Sequence, residues 1–267
     1  MKALINIFFS VIFITALLST SQISAQDYQT IRVNGTILLE KNNAMLERGT
    51  IFNEEDNLIF RTYNSIATVI NPQKGRFVLR PDNTDLAYAK ASYTPAMSNI
   101  SSRSSELMTV LDMKNHFKGK YVIFDEINLK INEDAFPMDE ENFFYIQYVY
   151  DGERINKQLP HNEDQLLLIK EEIYKIDGEP ISKDDVSEME VWYMQRDKGN
   201  KSTLIGNFEP VLIDNEELVS EIGIIFEVYK DKTWEEKLNE ALSFMNEFYG
   251  TPNRDSLEEW IKENIEI

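Results

Sequence analysis

Apolar positions recur along this chain with two different periods. Between Ile31 and Pro81 the pattern is short and alternating. Ile31 and Val33, then Thr36 to Leu39, form a β-branched segment broken by Asn34-Gly35. Leu58 to Thr62 alternates around Phe60. Ile66, Thr68 and Ile70 take one face of a strand and Ala67 and Val69 the other, and within 76–80 Phe77 and Leu79 oppose Val78. Gly35, Gly49, Gly75 and Asn71-Pro72 supply the turns between these pieces. Period two in segments this short predicts a small sandwich or partial barrel.

The alternation then lapses. Residues 83–105 carry Thr94-Pro95 and the low-complexity run Ser-Asn-Ile-Ser-Ser-Arg-Ser-Ser at 98–105, a composition that predicts a joint between two folded parts. A packed surface loop anchored by Leu86, Tyr88 and Tyr93 is the alternative. Leu107, Val110, Leu111 and Lys114 have helical spacing and predict a short helix with its apolar side inward. From Lys120 period two returns. Tyr121–Phe124 is apolar, Ile127, Leu129 and Ile131 alternate with polar neighbours, and Phe143–Tyr150 is apolar on both faces apart from Gln147, as in a central strand. Asp151-Gly152 predicts a hairpin returning through Arg154–Leu159. Further strands are predicted at 165–169, 172–176, 190–195, 202–207 and 222–229, with turns at Asp177-Gly178 and 197–200. Successive hairpins predict an antiparallel sheet.

At the C-terminus the period changes from two to 3.6. Thr233 with Glu236 forms a capping box, and Trp234, Leu238, Leu242 and Met245 trace one helix face that Gly250 and Pro252 terminate. Asp255 with Glu258 opens a second helix, whose apolar side is Leu257, Trp260, Ile261 and Ile265. The predicted fold class is therefore α+β: a small N-terminal all-β module, then an antiparallel sheet packed by two C-terminal helices. The predicted boundaries are 1–25, 26–82 for the β module, 83–118 for the Ser-rich linker and short helix, and 119–267 for the α+β domain.

Residues 1–25 read as a secretory signal peptide. Lys2 is the positive region, Ala3–Leu18 the apolar core and Ser19–Gln26 the cleavage region. The apolar run is shorter than the roughly 20 residues of a membrane span. The expected location is therefore periplasmic or secreted, with no membrane insertion after cleavage. The chain has no cysteine, which excludes disulfides and attachment of a lipid through an N-terminal Cys.

Two resemblances follow from these stretches. The order Gly35, Gly49, the Leu58–Phe60 strand and Ser65-Ile66-Ala67-Thr68-Val69 resembles FecR-like periplasmic domains, and implies a small β fold for this N-terminal part. The Asp-Gly-Ser turn of that family is replaced by Asn71-Pro72-Gln73-Lys74-Gly75, so its signalling role is not carried over. Across most of the mature chain, KGRFVLRP at 74–81, FFYIQYVYDGERINKQL at 143–159 and FYGTP at 248–252 resemble a group of uncharacterised exported proteins of the Bacteroidota. That resemblance implies export and no particular activity.

Charge narrows the function classes. The formal net charge is −19, and loss of residues 1–25, whose one charged side chain is Lys2, takes it one unit further. Binding to nucleic acid or anionic lipid needs a basic surface that displaces counterions, so both are disfavoured. Residues 214–267 hold 15 acids and 5 bases. The hydrophobic content of 42% allows a real core.

Candidate chemistry is sparse. The two histidines, His116 and His161, lie far apart, and no HExxH, CxxC, GxSxG, P-loop or GxGxxG occurs. The sequence therefore nominates no catalytic, cofactor-binding or metal residue and implies no cofactor. Three features remain open. His161, beside Glu163 and Asp164, has the make-up of a general base in a hydrolase, or of a solvated turn. Asp125, Glu126, Glu133, Asp134, Asp139, Glu140 and Glu141 have the oxygen ligands that calcium needs but not the EF-hand spacing, so a calcium-dependent surface protein stands against a solvated acidic loop. Phe143, Phe144, Tyr145, Tyr148 and Tyr150 suit either sugar stacking or a core strand. Taken together, the sequence reads as an exported, non-enzymatic module that binds a protein partner in the cell envelope. The alternatives are the hydrolase near His161 and the calcium-dependent protein.

Overall fold

A computed structural model describes residues 27–82, 91–96, 102–103, 106–182, 185–186, 188–213 and 215–266. The expected signal segment and much of the Ser-rich joint lie outside these residues. The fold is mixed α+β and rich in antiparallel strands. Its contacts divide it into two compact units, 1–96 and 97–267.

The first unit is all β. Its strands are β1 (Asp27–Asn34), β2 (Ile37–Leu39), β3 (Ala44–Met45), β4 (Ile51–Asn53), β5 (Leu58–Phe60), β6 (Ile66–Asn71), β7 (Gly75–Pro81) and β8 (Ala91–Pro95). They form a five-stranded sheet, β4-β1-β6-β7-β8, and a three-stranded one, β3-β2-β5. Tyr28, Ile37, Phe52, Phe60, Val69 and Leu79 make one core cluster from both sheets. Gly35 sits at φ +81°, and a Cβ there would lie 2.6 Å from the Ser65 hydroxyl. That hydroxyl receives the Thr36 N–H at 3.1 Å, so only glycine fits the turn.

One strand lies where the composition predicts a joint. β8 falls within 83–105, yet it extends the sheet by pairing with β7, Leu79 opposite Tyr93. The Tyr93 ring packs 5.4 Å from Tyr28 and 6.4 Å from Phe77. Tyr93, one of the anchors named in the packed-loop alternative, thus holds this strand to the sheet. Pro95 is tolerated because it ends an edge strand.

The second unit contains β9 (Glu106–Leu107), α1 (Val110–His116), β10 (Lys118–Ile123), β11 (Glu126–Ile131), β12 (Asn142–Tyr150), β13 (Glu153–Gln158), β14 (His161–Asn162) and β15 (Gln165–Ile169). These are followed by α2 (Lys170–Ile173), β16 (Lys175–Ile176), β17 (Glu179–Pro180), β18 (Met189–Gln195), β19 (Lys201–Leu212), α3 (Asn215–Val228), α4 (Trp234–Phe248) and α5 (Arg254–Asn264). A five-stranded sheet runs β10-β19-β18-β12-β13 and a four-stranded sheet β14-β15-β11-β9. Their apolar faces meet in one cluster: Phe144, Ile146, Val191 and Phe208 from the first, Ile127, Leu129, Leu166 and Leu168 from the second. The hairpins are antiparallel as expected. Two ladders are parallel, β10 with β19 and β9 with β11.

Three local expectations are corrected. Residues 222–229 do not close the β series, because they belong to α3 and the turn after it. Consecutive apolar residues from Ile222 to Phe226, with Gly223 between them, fit a buried strand or a buried helix equally well. The deciding spacing is Leu218, Ile222 and Ile225, all 0% exposed at helical intervals. Residues 172–176 fold as a short helix and a two-residue strand. In α1 the inward side is Met113 and His116, while Val110 and Leu111 are 49% and 66% exposed. Thr109 caps this helix reciprocally with Asp112; the cap sets the first turn and thereby the rotation of the whole helix. The box predicted at Thr233 and Glu236 is present. The last helix is capped by Asn253, whose side chain accepts the Ser256 N–H at 2.9 Å.

One arginine ties distant segments of this unit together. Arg103 donates to the carbonyls of Thr251 at 2.8 Å, Lys118 at 2.8 Å and Lys120 at 2.9 Å, and to that of His116. Its guanidinium lies 4.6 Å from the centre of the Tyr121 ring. The fork geometry of guanidinium makes this possible, since no other side chain presents five donors in one plane.

Burial also sets an alkaline limit. Desolvation raises the phenols of Tyr121 and Tyr174 far above the ordinary value, and pushes Tyr93 and Tyr193 up to about 12. An unfolded tyrosine ionises near pH ~10. The stability that comes from keeping these phenols neutral is complete below that pH and is lost as the pH climbs towards 12. Absorbance titration at 295 nm is expected to show these buried tyrosines ionising only as the fold melts. A single normal transition for all of them would contradict these burials.

Candidate functional site

The chain leaves the five-stranded sheet at the end of β13 and enters the four-stranded one at β14, through Leu159-Pro160. Two backbone bonds hold this corner: Leu159 N–H to the Phe144 carbonyl and Leu167 N–H to the Pro160 carbonyl, both 2.9 Å. A cavity of about 640 Å³ opens there. Leu159, Pro160, Ile169 and Ile173 supply its apolar walls, and Lys157, Gln158, His161 and Glu172 its polar ones. The volume falls in the range of small-ligand sites.

His161 is therefore part of a cavity, though not with its sequence neighbours. Glu163, at φ +52°, and Asp164 form the tight turn between β14 and β15 and do not line the space. The buried Nδ1 of His161 has no hydrogen-bond partner among the described residues. Asp139 is held below the usual carboxylate range by the Glu141 N–H, the Asn142 side chain and the Asn142 N–H, with a smaller effect from His161. The lining holds no hydroxyl or thiol for His161 to activate as a base. The other histidine lies elsewhere: His116 Nε2 is 2.5 Å from the Tyr121 hydroxyl, both residues are buried, and His116 borders a second cavity.

The acidic candidates do not converge. Asp125, Glu126, Glu133, Asp134, Asp139, Glu140 and Glu141 are all exposed. Among the described residues no three histidine, aspartate or glutamate side chains come together in a way that could hold a metal ion. Asp125 instead faces Lys170 at 3.4 Å, and Asp139 closes a turn by accepting the Glu141 and Asn142 N–H groups at 2.7 Å.

The aromatic run divides by face. Phe144 and Tyr148 point into the core, and Tyr148 donates its hydroxyl proton to the Ile173 carbonyl at 2.8 Å. Phe143 and Tyr145 point the other way. Tyr145 stands opposite Trp192 on β18, and Trp192 opposite Leu204 on β19, so three strands contribute one cross-sheet row. The Tyr145 and Trp192 rings stack 6.3 Å apart with an 11° interplanar angle. Leu204 is 42% and Val149 57% exposed on this outer face. Ser202, hydrogen-bonded to the Tyr145 hydroxyl at 2.7 Å, and Gln147, bonded to Asn156 at 2.6 Å, surround the row. Sequence reasoning did not single out Trp192 or Leu204. The signal for Trp192 was present, because it alternates with the inward Val191 and Tyr193.

No helix among the described residues is long and apolar enough to cross a membrane. No protein-family model and no curated protein matches this chain.

Proposed function

We propose that this chain is an exported, non-enzymatic interaction module that binds a protein partner of the cell envelope, in the periplasm or outside the cell. The observation that carries this reading is the outer face of the five-stranded sheet. Partly exposed Trp and Tyr beside exposed Leu and Val, ringed by hydrogen-bonding side chains, is the composition from which protein-binding hot spots are built. The strongly acidic charge disfavours nucleic acid as the ligand and favours encounter with basic surfaces. Export rests on residues 1–25 and on the resemblance to exported Bacteroidota proteins. Intact-mass measurement is expected to give a mature chain that begins near Gln26 or Asp27, and retention of Met1 in a membrane pellet would refute it.

The test is affinity capture from the native envelope with mass spectrometry of what co-purifies. The double variant Tyr145→Ala/Trp192→Ala is expected to lose the captured protein, a weakening of at least about 2 kcal/mol in binding, with melting close to wild type. Capture by the variant at the wild-type level would remove this face from recognition. A hydrolase centred on His161 is the second reading, favoured by the corner cavity. His161→Ala is expected to leave capture intact. Loss of the native phenotype in that variant, with fold and capture retained, would give the hydrolase precedence.

A further inference from the structure

The strand β13 is the last of its sheet, and among the described strands it pairs with β12 alone. The Leu159 N–H meets the Phe144 carbonyl, and the same register continues through Ile146 opposite Lys157 and Tyr148 opposite Ile155. Antiparallel ladders alternate between bonded and non-bonded pairs. Residues 155, 157 and 159 therefore aim their backbone groups at β12, while Arg154, Asn156 and Gln158 aim theirs away from the sheet. Edges are ordinarily blunted by proline, a bulge, a covering element or charged side chains, and of these β13 carries, among the described residues, only charges, at Glu153, Arg154 and Lys157. β13 contains no proline, and its ladder runs without a register shift. Its outward N–H and C=O groups have the spacing that another extended main chain would match.

The inner side of the same strand adds selectivity. Lys157 and Leu159 project from β13 into the wall of the corner cavity. A strand laid along β13 sends every second side chain to that side, so one of its residues enters the cavity. Half of the walls it meets are apolar, Leu159, Pro160, Ile169 and Ile173, with Leu159 and Ile173 both 2% exposed. Lys157 makes no ion pair among the described residues, although acids outnumber bases 46 to 27 in this chain. Glu172 of the same lining is paired with Lys175 at 3.5 Å, so the unpaired ammonium of Lys157 beside the apolar walls complements a carboxylate next to an apolar group.

Within the interaction reading above, we infer that the free edge of β13 takes up an extended peptide segment of a partner by strand addition. The segment places an apolar side chain in the corner cavity and an acidic one, two residues away, against Lys157. Strand addition accounts for two features at once: main-chain bonding gives affinity, and alternate side chains give specificity.

The test uses the full chain and a defined probe. Linear dodecapeptides selected on it from a random displayed library are synthesised with a fluorophore, and their affinity is measured by anisotropy. The expected binder carries an apolar and an acidic residue at i and i+2, with Kd below about 100 µM. N-methylation of its backbone at alternate positions in one register is expected to weaken binding at least about tenfold, and in the other register not at all, because a strand offers alternate N–H groups to its neighbour. Asn156→Pro, which removes an outward N–H and spares those facing β12, is expected to weaken binding equally, and Lys198→Ala, in an exposed turn, to leave it unchanged. The inference is overturned if no such peptide is selected, or if N-methylation acts without alternation. It is also overturned if binding survives Asn156→Pro but not Tyr145→Ala/Trp192→Ala; that result places recognition on the outer face and leaves the interaction module standing. Sedimentation showing a dimer that Asn156→Pro dissolves would make the occupant a second copy and overturn it as well. Peptide binding of the expected kind without envelope capture would keep the edge site and refute the envelope partner.

Discussion

Leu242→Ala is expected to lower the unfolding free energy by about 3–5 kcal/mol, the upper part of the range for Leu→Ala in a packed core. Leu242 is 0% exposed, and so are Leu238, Ala241, Phe244 and Met245 around it on α4. A site enclosed by its own helix face and its neighbours collapses poorly, so most of the vacated volume remains as cavity. At the start of the same helix Trp234 shows how α4 joins the others. Its ring packs 5.6 Å from Phe226 of α3, and its Nε1–H donates to Glu258 of α5 at 3.2 Å. Urea denaturation of the full chain, followed by tryptophan fluorescence and far-ultraviolet circular dichroism, checks the prediction. A loss below about 1 kcal/mol would make the helix a weakly held arm rather than part of the core.

Arg103→Met is expected to cost about 2–4 kcal/mol, and Arg103→Lys more than half of that. Hydrogen bonds to a charged donor contribute about 1.5–3 kcal/mol each, yet the four do not simply add. A cavity of about 810 Å³ borders Arg103, Lys118, Lys120 and Thr251, and water entering it satisfies part of what the arginine leaves. Lysine keeps the charge but carries its donors on one nitrogen, which cannot reach carbonyls from residues 116, 118, 120 and 251 together. Denaturation midpoints for wild type, Lys and Met variants separate the two contributions. A Lys variant equal to wild type would show that charge rather than the fork holds these segments.

Local patterning was legible wherever one face of an element is wet. The strict alternation of Ile127, Leu129 and Ile131, the Asp151-Gly152 hairpin and the Thr233 capping box are visible in the residues, because each is decided within a few positions. Legibility failed where burial is two-sided or the partner is remote. The run 222–226 is apolar at nearly every position, so its helical period is hidden. Tyr93 orders β8 through Tyr28, a contact that no local window contains. The aromatic run at 143–150 reads in sequence as one object, core or sugar platform. Alternation divides it, Phe144 and Tyr148 to the core and Tyr145 to the surface. In sequence His161 stands beside Glu163 and Asp164. Its relevant neighbours are instead Lys157 and Glu172, brought together by a corner between two sheets that sequence spacing does not reveal.

The parallel pairing of β10 with β19 fixes the order in which the second unit can be completed. During synthesis β10 emerges early, and the strand it pairs with in its sheet emerges after β11 to β18 have all been made. Closure entropy is spent before that ladder returns anything, which places the step among slow, non-local events. Arg103 waits longer still, since the Thr251 carbonyl follows β19 by two helices. A chain ended before β19 therefore lacks the strand that completes this sheet beside β10, and one ended before residue 251 holds the strands without the C-terminal partner of Arg103.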